Sequence, residues 1–105
     1  MTGATHNLAV QIVRYVNDGF PGWVEVCLLD AHDHSHVVID KVPIFTAEML
    51  DSMSTYPRTG DIPCLISEQW RDGEGRDIVG ITTPGIESNE GLSSFVVLRG
   101  QLSDL

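Results

Sequence analysis

Positive charge is scarce in this chain. Six Lys and Arg stand singly, at Arg14, Lys41, Arg58, Arg71, Arg76 and Arg99, against fifteen Asp and Glu, a formal net charge of −9. No cationic cluster exists to meet a phosphate backbone, so nucleic acid is excluded as an expected partner. The same field repels anionic lipid and draws in basic surfaces, so a basic protein is the partner to expect. The carboxylates are spread from Asp18 to Asp104 with no run of five, the pattern of a solvated, solubility-giving surface.

Cysteine is nearly as sparse, with Cys27 and Cys64 far apart and each inside an apolar run. There is no CxxC and no Cys/His zinc spacing, so a disulfide framework and a structural zinc are both excluded. A single Cys27–Cys64 bridge stays open if the two strands prove to be neighbours. Apolar runs are short: nothing approaches the ~20 residues of a membrane-spanning helix, and no membrane role is expected. Met1–Asn7 show neither a basic start nor an apolar stretch behind it, so no secretory leader is expected and the setting should be the cytoplasm.

What the chain does have is β-branched sequence in pairs around polar turns. Trp23–Leu29 leads through Asp30-Ala31-His32-Asp33-His34-Ser35-His36 into Val37-Val38-Ile39, and Ile62–Ile66 leads through Trp70–Arg76 into Asp77–Ile81. Strong β-formers on both sides of Gly/Asp-rich turns predict hairpins, and hairpins in series predict a mainly antiparallel all-β fold. With 105 residues, 42% of them hydrophobic, the chain can build a core without staples. The expectation is a flexible tail over residues 1–7 and one β-domain over 8–105, a small barrel or two-layer sandwich of about six strands with one short helix.

Leu8, Val10 and Ile12 alternate with Ala9, Gln11 and Val13, which predicts a first strand with one dry face. Val24, Val26 and Leu28 repeat the pattern in the second. A third strand from about His36 to Phe45 includes Pro43, which belongs at an edge or at the end of pairing. Thr46–Met53 is the helix-like stretch: Thr46 suits a cap, and Met49, Leu50 and Met53 make a short apolar stripe. Ser93–Leu98 is the last strand. No internal repeat or linker interrupts the series.

Chemistry-bearing patterns are few. His32, His34 and His36 alternate, and in an extended strand such residues point to one side roughly 6.5–7 Å apart, so they form a candidate metal set. They stand where the hairpin must turn, however, among turn formers that break the alternation. No Gly-x-Ser-x-Gly elbow is present, apolar surroundings make both thiols poor nucleophiles, and Gly73-x-Gly75 precedes no helix and so cradles no phosphate. No cofactor is expected. Trp23 and Trp70 stand at predicted strand ends; core or rim packing explains both, and interface anchoring is the alternative if Phe20, Trp23, Tyr56 or Trp70 proves exposed and clustered.

The order Arg14-Tyr15-Val16-Asn17-Asp18-Gly19-Phe20-Pro21-Gly22-Trp23-Val24-Glu25, with Asp30-Ala31, Lys41-Val42-Pro43 and the later Tyr56-Pro57…Gly60-Asp61-Ile62-Pro63-Cys64, resembles a group of small bacterial single-domain proteins with no attached activity. So do Asp72…Gly75-Arg76 and Glu87-Ser88…Glu90-Gly91. The likeness runs from about residue 10 to 102 and implies a free-standing bacterial protein; it transfers no residue roles. Taken together, these patterns lead to a non-enzymatic, protein-binding expectation with an acidic surface. An immunity-type inhibitor of a basic toxin is its sharper form, and a metal-dependent protein built on His32, His34 and His36 is the rival. The strand edge near Pro43 and the last strand could pair with another copy, so monomer and homodimer both stay open.

Overall fold

The computed structural model describes residues 4–105. Its elements are β1 (His6–Asn17), β2 (Trp23–Leu29), β3 (Ser35–Lys41), α1 (Val42–Phe45), β4 (Arg58–Arg71), β5 (Asp77–Thr82), β6 (Ser94–Leu98), a 3-10 turn (Arg99–Gln101) and β7 (Leu102–Asp104). The strands pair antiparallel in the order β3-β2-β1-β4-β5-β6, and β7 pairs with β1. The sheet curls into a half-barrel of six strands with β7 beside it, in agreement with the expected small, mainly antiparallel all-β fold. β1 starts two residues before the expected Leu8, because His6 and Asn7 pair with Cys64 and Pro63. The first residues of the expected tail, 1–3, lie outside the described residues.

The curl follows from alternation and from one long strand. Leu8, Val10 and Ile12 point inward from β1, and Val24, Val26 and Leu28 from β2, all buried. β4 belongs to both halves of the sheet: its first part, Arg58–Cys64, pairs with β1, and its second, Leu65–Arg71, pairs with β5. Its register shifts between Ile66 and Glu68. Such irregularities add local twist and bend the strand that carries them. Phe45, Phe95 and Ile81 complete the packed interior.

A curled sheet that does not close must tie its two ends together by other means. Here β7 lies along the start of β1, with Leu8 opposite Leu102. The β2–β3 turn reaches β6 through the Ala31 N–H, which donates to the Val96 carbonyl at 2.8 Å. The Asn89 N–H donates to the Val37 carbonyl on the free edge of β3 at 2.8 Å, and Gln101 Nε2 donates to the Leu29 carbonyl at 2.8 Å. These bonds satisfy edge groups that would otherwise be bare.

The helix is displaced from its expected place. It occupies Val42–Phe45, not Thr46–Met53, so the third strand stops at Lys41 instead of running to Phe45, and Pro43 falls in the helix's first turn, where a missing N–H costs nothing. Thr46 ends it rather than starting it. Beyond that point side chains take over the backbone bonds: Thr46 Oγ1 accepts the Glu48 N–H and Asp51 Oδ1 accepts the Met53 N–H. This local competition stops a second turn of helix from forming. The Cys27–Cys64 bridge is likewise absent. β1 lies between β2 and β4, Cys64 faces the core, Cys27 is on the outer face, and both thiols are free. Among the described residues no helix is long and apolar enough to cross a membrane.

Gly60 of β4 lies against Phe45 of α1 and Ile12 of β1. A Cβ there would stand 2.9 Å from the Ile12 side chain and 3.1 Å from the Phe45 carbonyl oxygen, whereas one at Gly73 would meet nothing within 4 Å. Gly60→Ala should therefore lose about 1–3 kcal/mol of stability to overpacking, and Gly73→Ala should stay within about 0.5 kcal/mol of the parent. Urea midpoints of the two variants test the contrast.

Candidate functional site

Two places gather the residues that the sequence singled out, and they lie at different ends of the sheet. The first is the β2–β3 turn. Asp30 Oδ1 accepts the backbone N–H groups of His32 at 2.8 Å and His34 at 3.0 Å, and the Asp30 N–H donates to the His34 carbonyl. Asp33 takes a left-handed φ of 62° within this turn. The strand alternation that would align three imidazoles is thereby broken. His32 and His34 are exposed, with ring centroids 6.4 Å apart, while His36 turns inward. Among the described residues no three His, Cys, Asp or Glu side chains are grouped to hold a metal ion.

His36 is instead a tie between β3 and β6. Its side chain is 15% exposed, its ring meets Phe95 edge-on at 5.1 Å, and its Nε2 lies 2.9 Å from Asp30 Oδ2. A carboxylate only accepts, so Nε2 carries the proton and donates it. Nδ1 is buried without a hydrogen bond, 3.7 Å from Glu90 Oε1. A cleft of about 290 Å³ opens beside the pair, with Ser67 and Glu68 on its far wall. The Ser67 hydroxyl is occupied: its Oγ donates to the Gly80 carbonyl at 2.9 Å. A base whose free nitrogen is shielded and a hydroxyl turned onto backbone do not make a nucleophile–base pair.

The β4–β5 turn repeats the Asp30 arrangement. Asp72 Oδ1 accepts the N–H groups of Glu74 and Arg76, Oδ2 accepts Arg76 Nε at 2.9 Å, and Gly75 supplies the left-handed position that Asp33 fills in the other turn. Arg76 then reaches across to the Ala31 carbonyl at 3.4 Å, joining the two turns. Turn-forming Asp at matched spacing was visible in the sequence as Asp30-x-x-Asp33 and Asp72-x-x-Gly75; its role as a hub was not.

The second place is the opposite end, where β1 turns into β2. Phe20 is 97% exposed there, and a groove of about 350 Å³ runs from it past Pro21, Val42 and Pro43 to Met49 and Leu50. Met49 is 97% exposed and Met53 87%. The sequence assigned these methionines to the apolar stripe of a helix; without that helix only Leu50 turns inward. Trp23 is half-buried with Lys41 Nζ 5.5 Å above its ring, and Tyr56 packs on the core with its hydroxyl donating to the Asp51 carbonyl at 2.9 Å. Trp70, 40% exposed, sits at the other end of β4 from Tyr56, so the four aromatics do not make one cluster.

Most of the scarce cations are spoken for. Arg14 pairs with Glu25, Arg58 with Glu48, Arg71 with Asp77 and Arg76 with Asp72. Among the described residues Asp18 and Asp51, each within two residues of a groove-lining side chain, have no such partner. Both carboxylates bear on the Tyr15 hydroxyl, whose pKa is raised by burial first and then by Asp18, Tyr56 and Asp51.

Neither family models, curated proteins nor solved structures gave a match to this chain.

Burial alone would raise the Asp30 pKa, but the hydrogen bonds from His36 and from the His34 and His32 backbones outweigh it and hold the carboxyl below its ordinary 3.8. A depressed folded pKa means that the stabilisation is present above the unfolded value and is lost as pH falls through the folded one. Stability should therefore decline from pH about 4 downward. Asp30→Asn should flatten that limb and cost about 1.5–3 kcal/mol at neutral pH, the worth of a charge-assisted bond. Denaturant midpoints across pH for parent and variant check both statements.

Proposed function

We propose that this chain is a non-enzymatic protein-binding module, and that it docks its partner at the groove end beside Phe20. The observation that supports this reading is the apolar exposure there. Scattered surface apolar side chains are ordinary, but Phe20 and Met49 open onto one groove, with Met53 following on the same loop. Aromatic and methionine side chains are enriched at interface centres, and methionine adapts to varied apolar partners. The −9 charge favours a basic partner and should make the association weaken with salt. The free thiols of Cys27 and Cys64 suit a reducing cytoplasm.

Phe20 and Met49 are so exposed that the double variant Phe20→Ser/Met49→Ser should unfold within about 0.5 kcal/mol of the parent. Immobilised parent and variant are exposed to extract of the source cells at low and high salt. Proteins retained by the parent at low salt and lost by the variant are expected; identical retention by both would overturn the docking surface.

A further inference from the structure

We infer that the groove takes a basic segment of the partner protein, an apolar side chain seated between Phe20 and Met49 with Lys or Arg beside it facing Asp18 and Asp51. The inference rests on the docking reading above and names its occupant. The groove wall is built from Phe20, Pro21, Val42, Pro43, Met49 and Leu50, an apolar lining that offers few hydrogen bonds to a polar occupant. An apolar side chain is what such a wall can desolvate.

The rim decides the rest. Glu48, the carboxylate on the groove itself, is neutralised by Arg58 Nη2 at 3.0 and 2.9 Å. Asp18, two residues before Phe20, and Asp51, two residues after Met49, pair with no Lys or Arg among the described residues, although Asp51 Oδ1 accepts the Met53 N–H and the Ser54 hydroxyl. They come from separate loops, and each lies within two residues of a groove-lining side chain, Asp18 of Phe20 and Asp51 of Met49 and Leu50. Lys41, the nearest cation in sequence to Pro43, is drawn over the Trp23 ring. A segment with acidic flanks would set like charge against two uncompensated carboxylates. A second copy would bring another Asp18 and Asp51, and another −9, to the same face. An anionic membrane meets the same repulsion.

The test uses the full chain and three designed helical peptides of one length, followed by fluorescence anisotropy. One carries an apolar Leu face with Lys flanks, the second the same face with Glu flanks, and the third keeps Lys but replaces Leu with Ser. Expected is binding of the Leu/Lys peptide alone, weakened at least tenfold by Phe20→Ser/Met49→Ser, several-fold by Asp18→Asn/Asp51→Asn, and not by Trp70→Ser. Equal binding of the Ser/Lys peptide, or indifference to Phe20→Ser/Met49→Ser, would reduce the effect to diffuse charge and overturn the inference. So would equal binding of the Leu/Glu peptide, groove-dependent dimers in sedimentation, or groove-dependent adsorption to neutral lipid vesicles. Groove-dependent capture from extract without peptide charge preference would remove the basic occupant and leave the docking reading intact. Loss of both removes both.

Discussion

A curled sheet with two free ends is held in shape only if something joins those ends, and in this protein the join is organised by one carboxylate. Asp30 folds its own turn by accepting the His32 and His34 amides and anchors His36 from the neighbouring strand. The turn so ordered presents the Ala31 amide to β6 and the Ala31 carbonyl to Arg76. The core does not make this join by itself: apolar burial is non-directional, whereas the seam depends on donors and acceptors placed to within a few tenths of an ångström. The depressed pKa of Asp30 is the electrostatic mark of that work.

The molecule is thus differently built at its two ends. At the seam polar groups bond one another, Asp30 to the His32 and His34 amides and to His36, and Arg76 to Asp72 and the Ala31 carbonyl. At the β1–β2 end the backbone is tied by Val42 N–H to the Gly22 carbonyl and by the small turns around Thr46 and Asp51, while large apolar side chains are left in solvent. Phe20, Met49 and Met53 take no part in the hydrogen bonds that shape the sheet. Exposed side chains that contribute little to folding are free to serve recognition, and this separation supports the binding reading.

The strands were legible because their signals are local and periodic. Leu8-x-Val10-x-Ile12 and Val24-x-Val26-x-Leu28 need only one wet and one dry side to be read, and both faces fell where the pattern put them. The two turns were legible from Asp and Gly. The helix was misplaced because Met49, Leu50 and Met53 at helical spacing outweighed Pro43 and the turn-forming side chains of Thr46 and Asp51. The histidine triplet failed as a ligand set for a related reason: alternation implies convergence only in extended backbone, and Asp33 leaves it. The groove was half legible. Phe20 was singled out, but its companions were hidden inside a helix that does not form, and β7 is too short to leave a periodic trace.

The bend in β4 has one more consequence, for register. A strand that pairs with β1 along one stretch and with β5 along the next cannot slide by a single residue without failing on both sides together. Such a slip would turn Ile62 and Cys64 toward solvent and move the irregularity at Ile66–Glu68 away from Gly80, which fits beneath the Ser67 and Glu68 side chains. Strand slippage, the usual weakness of small open sheets, is therefore blocked at the strand that joins the two halves of the sheet.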